Sequence, residues 1–235
     1  MTSILVLGFL VGIRHAFEPD HIAAVASLTT RATSLRHAIR QGAAWGLGHT
    51  LTLFIVCGMV LMLNTAISDQ VAHVLEAAVG VMLVILGADV VRRVWRDRIH
   101  FHAHKHAGGE AHFHAHSHKG EDAKTHDAGR HHHEHHHKSP FPLRALAVGL
   151  MHGMAGSAAL IVLTVQTSDS AGLGLLYVAL FGIGSIAGMA LFTAVISIPM
   201  RSAKTLTWVN NGLQTVIGGA TVALGAFTVV TSLNF

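Results

Sequence analysis

The stretch Arg14-His15-Ala16-Phe17-Glu18-Pro19-Asp20-His21 lies inside an otherwise apolar run that extends from residue 2 to residue 28. As a helix, this run is long enough to cross about 30 Å of hydrocarbon. A charge at the centre of a bilayer costs roughly 2.5–3.5 kcal/mol on insertion scales, so charged residues at that depth usually line a cavity or an ion path. Imidazole and carboxylate groups are also ligands for first-row divalent metals. The stretch therefore predicts a membrane helix that carries a metal site.

The composition indicates an all-α integral membrane protein. Of 235 residues, 51% are hydrophobic and only 12% are charged, and the mean hydropathy is +0.51. Such values exclude an ordinary soluble domain. The single cysteine, Cys57, excludes a disulfide framework. We predict six membrane spans, at residues 2–28, 41–63, 71–91, 143–166, 171–199 and 207–231.

The basic residues predict the orientation of these spans. Apart from Arg14, they all fall after the first, third and fifth spans, while the loops 64–70 and 167–170 contain no Lys or Arg. The positive-inside rule then places the basic loops in the cytoplasm and both termini outside, in a multi-pass protein of the bacterial inner membrane. A pI near 9.7 would be consistent with nucleic-acid binding, but the alternation of basic loops explains the positive charge without a nucleic-acid partner. The predicted partners are therefore the lipid bilayer and a divalent metal ion.

The two halves of the chain resemble each other at nearly one offset. Matches in the same order join residues 11–16 to 148–153, 45–49 to 181–185, and 75–87 to 213–225. An odd number of spans in each copy inverts the second copy in the membrane, as in many secondary transporters. We therefore predict a first three-helix repeat at 1–91, a His-rich cytoplasmic loop at 92–142 and a second, inverted three-helix repeat at 143–235.

Pro19 predicts a break in the first helix. Its ring clashes with the carbonyl four residues back, which belongs to His15, and it has no N–H to donate. On an unbroken helix His15 would point away from the two residues after Pro19, and a break lets the three side chains converge. Irregular backbone at this depth requires protein or a cavity around it. The predicted metal ligands are His15, Asp20 and His21, with Glu18 as a further ligand or a supporting carboxylate. The alternative is a structural buried ion network in which Arg14 is the counter-ion.

Three other polar residues of the spans are weaker candidates. His49 is preceded by glycines near the start of the second span, and we interpret it as a further ligand or as structural. His152 corresponds to His15 in the repeat and is a candidate ligand for that reason. Glu76 lies within the third span, where it is either a buried, hydrogen-bonded carboxylate or a ligand or proton relay.

Fifteen of the 21 histidines lie between residues 100 and 137. The segment also contains several glycines, many charges and few apolar residues, so we expect it to be largely disordered. Unperturbed imidazoles, with a pKa of about 6.5, are mostly neutral at pH 7 and free to bind metal. The segment therefore predicts metal capture, buffering or sensing, above all at His131, His132, His133, His135, His136 and His137.

These residues resemble the nickel/cobalt transporter family. The family motif of His, four residues and Asp-His is matched by His15 to His21, and Leu47-Gly48-His49-Thr50 is similar to its second motif, of the Leu-Gly-His-Ser type. The best-known members have eight spans and an acidic motif in the second half, which this chain lacks. The shorter form is similar to the urease-accessory membrane proteins, and the His-rich loop to those of nickel/cobalt exporters.

The resemblance implies Ni²⁺ or Co²⁺ as transported substrate, without a prosthetic group. It also admits a cytoplasmic metallochaperone or a nickel-enzyme maturation factor as a partner. We predict a secondary transporter and not an enzyme, with Ni²⁺ ahead of Co²⁺. The alternatives are an exporter of Zn²⁺ or another heavy metal, an intramembrane metalloenzyme that activates water at the same ligands, and an accessory metal reservoir.

Overall fold

The computed structural model describes residues 2–32, 34–63, 68–96, 100–105, 111–116, 141–154, 170–203 and 207–234. The helices are α1 (Thr2–His15), α2 (Pro19–Thr29), α3 (Leu35–Leu63), α4 (Asp69–Arg96), α5 (Leu143–His152), α6 (Ala171–Ala203) and α7 (Thr207–Leu233). Two strands, β1 (His100–Lys105) and β2 (Ala111–His116), stand between α4 and α5.

The first predicted span consists of two helices. α1 ends at His15, and α2 begins at Pro19 with Glu18 as an extended N-cap residue (φ −66°, ψ 148°). Proline keeps the residue before it out of the helical region and suits the first position of a helix, where an N–H is not needed. Between the helices, the Glu18 N–H donates to the His15 carbonyl at 3.1 Å. The predicted break near Pro19 is therefore present at residues 16–18.

Four of the helices are long and apolar enough to cross a membrane. They are the segments Leu35–Val60, Asp69–Arg96, Gly172–Met200 and Trp208–Leu233. The segments Val6–His15 and Leu143–His152 are shorter apolar helices. The predicted fourth span continued to residue 166, but residues 155–169 lie outside the described part of the chain. The helical membrane class is thus confirmed with four candidate spans, and the six-span arrangement stays a prediction.

We expected the segment 92–142 to be largely disordered, and parts of it have a described structure. α4 continues to Arg96, and β1 pairs with β2 in an antiparallel hairpin that sets His100 opposite His116. The cluster at 131–137 lies outside the described residues.

Close approaches between helices occur at glycines. α1 packs along α6, α3 along α5 and α6, and α4 along α7, while α2 packs chiefly against α7. A Cβ added at Gly12 would overlap the Phe181 carbonyl, and one added at Gly149 would overlap the Trp45 carbonyl. Small residues permit such contacts where apolar burial alone does not drive helices together. The glycines therefore set the spacing of the helices around the centre of the bundle.

Candidate metal centre

Four buried imidazoles converge from four helices. His15 is the last residue of α1, His21 lies in the first turn of α2, His49 is the midpoint of α3 and His152 is the last residue of α5. Their exposed fractions are 4%, 1%, 0% and 1%. Since a helix rises 1.5 Å per residue, His49 lies about 21 Å from either end of α3. The cluster is therefore at the middle of a membrane-spanning helix.

The cluster divides into two overlapping groups that share His21. The ligand atoms of His15, His21 and His49 all lie within 4.8 Å of one another, and so do those of Asp20, His21 and His152. The His21 ring centroid is 4.3 Å from that of His15 and 4.2 Å from that of His152. The two groups together contain five side chains of types that bind divalent metals.

Asp20 fixes the protons of two of the imidazoles. Its Oδ1 accepts the His21 backbone N–H at 2.8 Å and faces His21 Nδ1 at 2.9 Å, while Oδ2 faces His152 Nε2 at 3.0 Å. A carboxylate only accepts, so both of these ring nitrogens must donate. The lone pairs then lie on His21 Nε2 and His152 Nδ1, which are buried and have no hydrogen-bond partner among the described residues. Asp20 therefore leaves both imidazoles ready to bind a cation.

Glu18 fixes a third imidazole in the same way. Its Oε1 lies 3.0 Å from His15 Nδ1, so that nitrogen donates and Nε2 keeps the lone pair. His15 Nε2 faces His49 Nε2 at 3.0 Å. A metal–imidazole bond of about 2.0–2.1 Å puts neighbouring ligands at right angles roughly 3.0 Å apart, so the two nitrogens have the spacing of two ligands of one ion.

The structure brings six of the predicted site residues together and places Arg14 and Glu76 apart from them, while the predicted loop ligands at 131–137 lie outside the described residues. The six are His15, Glu18, Asp20, His21, His49 and His152. Arg14 is exposed and takes part in none of the ion pairs among the described residues, so it is not their counter-ion. Glu76 instead accepts from Ser232 Oγ at 3.3 Å and lies 4.0 Å from His73 Nδ1.

Two aromatic residues that we did not predict as site residues touch the cluster. The Trp45 ring is fully buried, with its centroid 5.2 Å from that of His21 and 5.6 Å from that of His152. The Phe181 ring lies 5.2 Å from that of His15. Trp45 precedes His49 by one helical turn on the same face of α3, and this spacing is the signal that could have identified it.

A cavity of about 360 Å³, which we call the vestibule, lies between the ends of α2 and α4 and the starts of α3 and α5. Leu28 and Gln41 are among its lining residues, and Gln41 precedes Trp45 by one helical turn. Trp45 therefore lies between the vestibule and the cluster.

Asp89 lies at the vestibule among arginines from three elements. Its Oδ2 is 2.5 Å from Arg31, 3.6 Å from Arg93 and 4.0 Å from Arg144. The carboxylate therefore joins the end of α2, α4 and the start of α5 at one end of the bundle.

Three known proteins are similar to this chain in sequence. Urease accessory protein UreH of Bacillus sp. (strain TB-90) is 32% identical over 225 residues, which cover 96% of this chain and 90% of that protein. A provisionally named nickel/cobalt efflux system of Methanocaldococcus jannaschii is 28% identical over 104 residues, 43% of this chain and 46% of that protein. Chloroplast protein FOR GROWTH AND FERTILITY 2 of Arabidopsis thaliana is 24% identical over 226 residues, 92% of this chain but 55% of that protein. No solved structure matches the chain.

The family model NicO, High-affinity nickel-transport protein, matches residues 1–233. With its four candidate spans, the chain is a multi-pass membrane protein. The resemblance seen in the motifs is confirmed over nearly the whole sequence, and the chain belongs to the NicO family of high-affinity nickel-transport proteins.

Proposed function

We propose that this protein moves Ni²⁺, with Co²⁺ as second substrate, across the bacterial inner membrane through the site formed by His15, His21 and His49. The observation that carries the proposal is the convergence of three buried imidazoles at the midpoint of a membrane-spanning helix. Imidazole nitrogens suit Ni²⁺ and Co²⁺ and not the hard ions Mg²⁺ and Ca²⁺. The description of the family and the name of the nickel/cobalt relative support the same substrates.

The two groups that share His21 provide successive positions for the ion. An ion held by His15, His21 and His49 is one ring away from Asp20 and His152. To enter the second group, the ion replaces the two N–H groups as the partner of Asp20, and the imidazole rings keep their protons and turn their free lone pairs towards it. In this proposal Asp20 and Glu18 orient the imidazoles and, as anions, offset part of the charge of the ion.

We propose two inverted repeats of three helices each, and the packing contacts support them. A Cβ added at Gly48 would overlap the Leu146 carbonyl, and one at Gly184 would overlap the Phe9 carbonyl. In the duplication, Gly48 corresponds to Gly184 and Leu146 to Phe9, so these two contacts are equivalent. The approach of Gly12 to the Phe181 carbonyl is equivalent in the same way to that of Gly149 to the Trp45 carbonyl. An axis that exchanges antiparallel α3 and α6 in this way lies in the plane of the membrane.

Trp45 and Phe181 are the proposed gates of the path. They occupy equivalent positions in the duplication. Trp45 separates the cluster from the vestibule, while Phe181 packs with Leu53 and Cys57, on the opposite side of His49 along α3. Alternating displacement of the two rings would open the ion site to one side of the membrane at a time.

The proposed orientation sets the vestibule and the His-rich loop in the cytoplasm and both termini outside. The arginines around Asp89 support this side for the vestibule. Single cysteines at Ser34 and Ser68, in a Cys57→Ala background, test it, because both serines are exposed, and Ser34 precedes α3 while Ser68 follows it and precedes α4. In intact spheroplasts an impermeant maleimide should label position 68 and not position 34. Labelling at position 34 alone would reverse the orientation.

The His-rich loop is proposed to capture metal at the cytoplasmic side, and a nickel-enzyme maturation factor is the proposed partner. The name of the urease accessory relative supports such a partner. Deletion of residues 100–137 should alter the metal concentration at which transport is half-maximal and leave transport itself in place. Complete loss of flux from this deletion, with full flux in His15→Ala, would contradict the proposed path.

Flux into proteoliposomes tests the central proposal. The wild type should transport Ni²⁺ and Co²⁺, and His15→Ala and His49→Ala should reduce the flux at least roughly tenfold, since each removes a ligand. His73→Ala is the control, because it removes a histidine outside the cluster. Full flux in both cluster variants would refute the site.

The same assay reads the direction of transport. Two positive charges that move inward gain about 4.6 kcal/mol per 100 mV of inside-negative potential, so an imposed potential should accelerate uptake if the ion moves alone. Competition with Zn²⁺ in this assay measures selectivity.

A further inference from the structure

We infer that the groove between α4 and α7 binds an anionic phospholipid of the cytoplasmic leaflet. The groove is open to the surface, has a volume of about 730 Å³ and is lined by different residues from the metal centre and the vestibule. Its walls include Val91, Arg92, Trp95 and Arg96 of α4, and Gly219 and Val222 of α7. This volume is within the range of about 300–1,000 Å³ that small-molecule sites occupy.

The groove follows from the way in which α4 and α7 pack. The helices touch backbone to backbone where a Cβ at Gly87 would meet the Gly218 carbonyl, and again where one at Gly225 would meet the Gly80 carbonyl. Beside this contact, a Cβ at Gly219 would have no atom within 4 Å among the described residues. Because Gly219 has no side chain, the space beside this close helix contact stays open as a groove.

Both arginines of the groove lie on one stripe of α4. Positions 88, 91, 92, 95 and 96 follow the spacing of a single helix face. Arg92 is 65% exposed, with its Nη2 3.5 Å from Asp89 Oδ1, and Arg96 is exposed as well. Arg93 belongs to a different face, where it binds Asp89 and Thr30. A pair of exposed guanidinium groups above an apolar wall matches a phosphate above its acyl chains.

The tryptophans indicate that this end of the groove lies at the surface of the bilayer. Trp95 is 67% exposed and Trp208 is 74% exposed. The contacts of Gly80 with Gly225 and of Gly87 with Gly218 make the two helices antiparallel, so Trp95 and Trp208 are at the same end of the pair. Exposed tryptophans mark the headgroup region of a membrane. The arginines are therefore at headgroup depth, and the apolar wall extends towards the acyl chains.

A phospholipid satisfies both parts of this groove. Inorganic phosphate would contact the arginines but leave the apolar wall uncovered, and a zwitterionic lipid would cover the wall but bring an ammonium group to the arginines. The cytoplasmic leaflet is rich in anionic lipids, and basic pockets between helices on that side bind their headgroups. We therefore assign the groove to a lipid with a net negative headgroup, such as phosphatidylglycerol.

Quenching of Trp95 by brominated lipid tests the assignment in the full chain. A Trp208→Phe background leaves Trp95 and the fully buried Trp45. In phosphatidylcholine vesicles, a small fraction of brominated phosphatidylglycerol should quench the fluorescence more strongly than the same fraction of brominated phosphatidylcholine. Equal quenching by the two lipids, or complete reversal by inorganic phosphate, would overturn the proposal.

Two pairs of variants separate the groove from general effects of charge or size. Arg92→Gln and Arg96→Gln should each weaken the phosphatidylglycerol effect roughly fivefold, whereas Arg36→Gln and Arg40→Gln on α3 should not. Gly219→Leu should fill the groove and abolish the effect, whereas Gly212→Leu, at another open position of α7, should preserve it. If a glycine variant fails to fold, the arginine pair decides the outcome. An unchanged effect in Arg92→Gln and Arg96→Gln would refute the site.

Discussion

Replacement of Asp20 by Asn removes one hydrogen-bond acceptor from the candidate metal centre. The wild-type carboxylate accepts from His21 with Oδ1 and from His152 with Oδ2. An amide has nearly the same shape but only one accepting oxygen. If that oxygen stays with His21, the NH₂ group faces the Nε2–H of His152, and two donors oppose each other. His152 must then turn away or move its proton to Nδ1, which removes the lone pair that was available for metal.

The size of the effect follows from the bond that is lost. A hydrogen bond to a charged group contributes about 1.5–3 kcal/mol, which corresponds to roughly 10- to 150-fold in an equilibrium constant. Loss of the partner that orients a metal-binding imidazole typically costs about 10- to 100-fold in metal affinity. Both routes give the same expectation, so Asp20→Asn should weaken Ni²⁺ binding by between one and two orders of magnitude.

Isothermal titration of Ni²⁺ into the protein in nanodiscs measures this change. Asp69→Asn is the matched control, because Asp69 is an exposed aspartate in the first turn of α4. It should bind Ni²⁺ as the wild type does. Circular dichroism of both variants should show unchanged helix content. A dissociation constant for Asp20→Asn within about threefold of the wild type would show that the carboxylate does not orient the imidazoles.

Three further changes test the helix contacts and the gates. Gly12→Ala should lower the melting temperature, because its Cβ would overlap the Phe181 carbonyl. Overpacking of this kind costs about 1–3 kcal/mol. Gly212→Ala is the control and should leave the melting temperature unchanged, because its Cβ would meet no atom of the described residues. Trp45→Ala leaves a cavity between the cluster and the vestibule and should cost about 3–5 kcal/mol in stability. In a Cys57→Ala, His49→Cys background it should also let a cysteine-reactive probe reach position 49 from the vestibule side, and unchanged reactivity would argue against a gate. Asp89→Asn leaves four arginines without their carboxylate and should destabilise the fold by about 1–3 kcal/mol, read in the melting temperature at low and high salt. An equal loss at both salt concentrations would speak against charge repulsion.

The four candidate spans could be predicted because a bilayer imposes one requirement on composition and length. The windows 41–63 and 207–231 fall within α3 and α7. α3 nevertheless begins at Leu35, six residues before its window, since helices continue into the headgroup region, where polar residues cost little. The break at residues 16–18 was predictable for a different reason, because Pro19 allows few backbone conformations.

Other features of the site depend on packing that no local pattern reports. His152 was predictable as a member of the cluster from the duplication, but its bond to Asp20 was not. Trp45 is one of many large apolar residues in apolar helices, and only the fold sets it beside two imidazoles. Arg14 adjoins His15 in sequence, yet neighbouring residues of a helix point about 100° apart, and the arginine is exposed. The position of Arg14 next to His15 in the sequence therefore did not show whether the arginine interacts with the site.

The interruption between α1 and α2 divides the metal ligands between two packing units. α1, which carries His15, packs along α6, whereas α2, which carries His21, packs chiefly against α7 and is linked to it by the Ser27–Thr221 hydroxyl contact of 3.0 Å. We predict that residues 16–18 act as a hinge within the candidate site. An ion that bridges His15 and His21 favours the arrangement in which the two units are close, and separation of the units lowers the affinity for the ion. We therefore predict that Ni²⁺ binding changes the distance between α1 and α7, and that a distance probe on these helices reports this change progressively as Ni²⁺ is added.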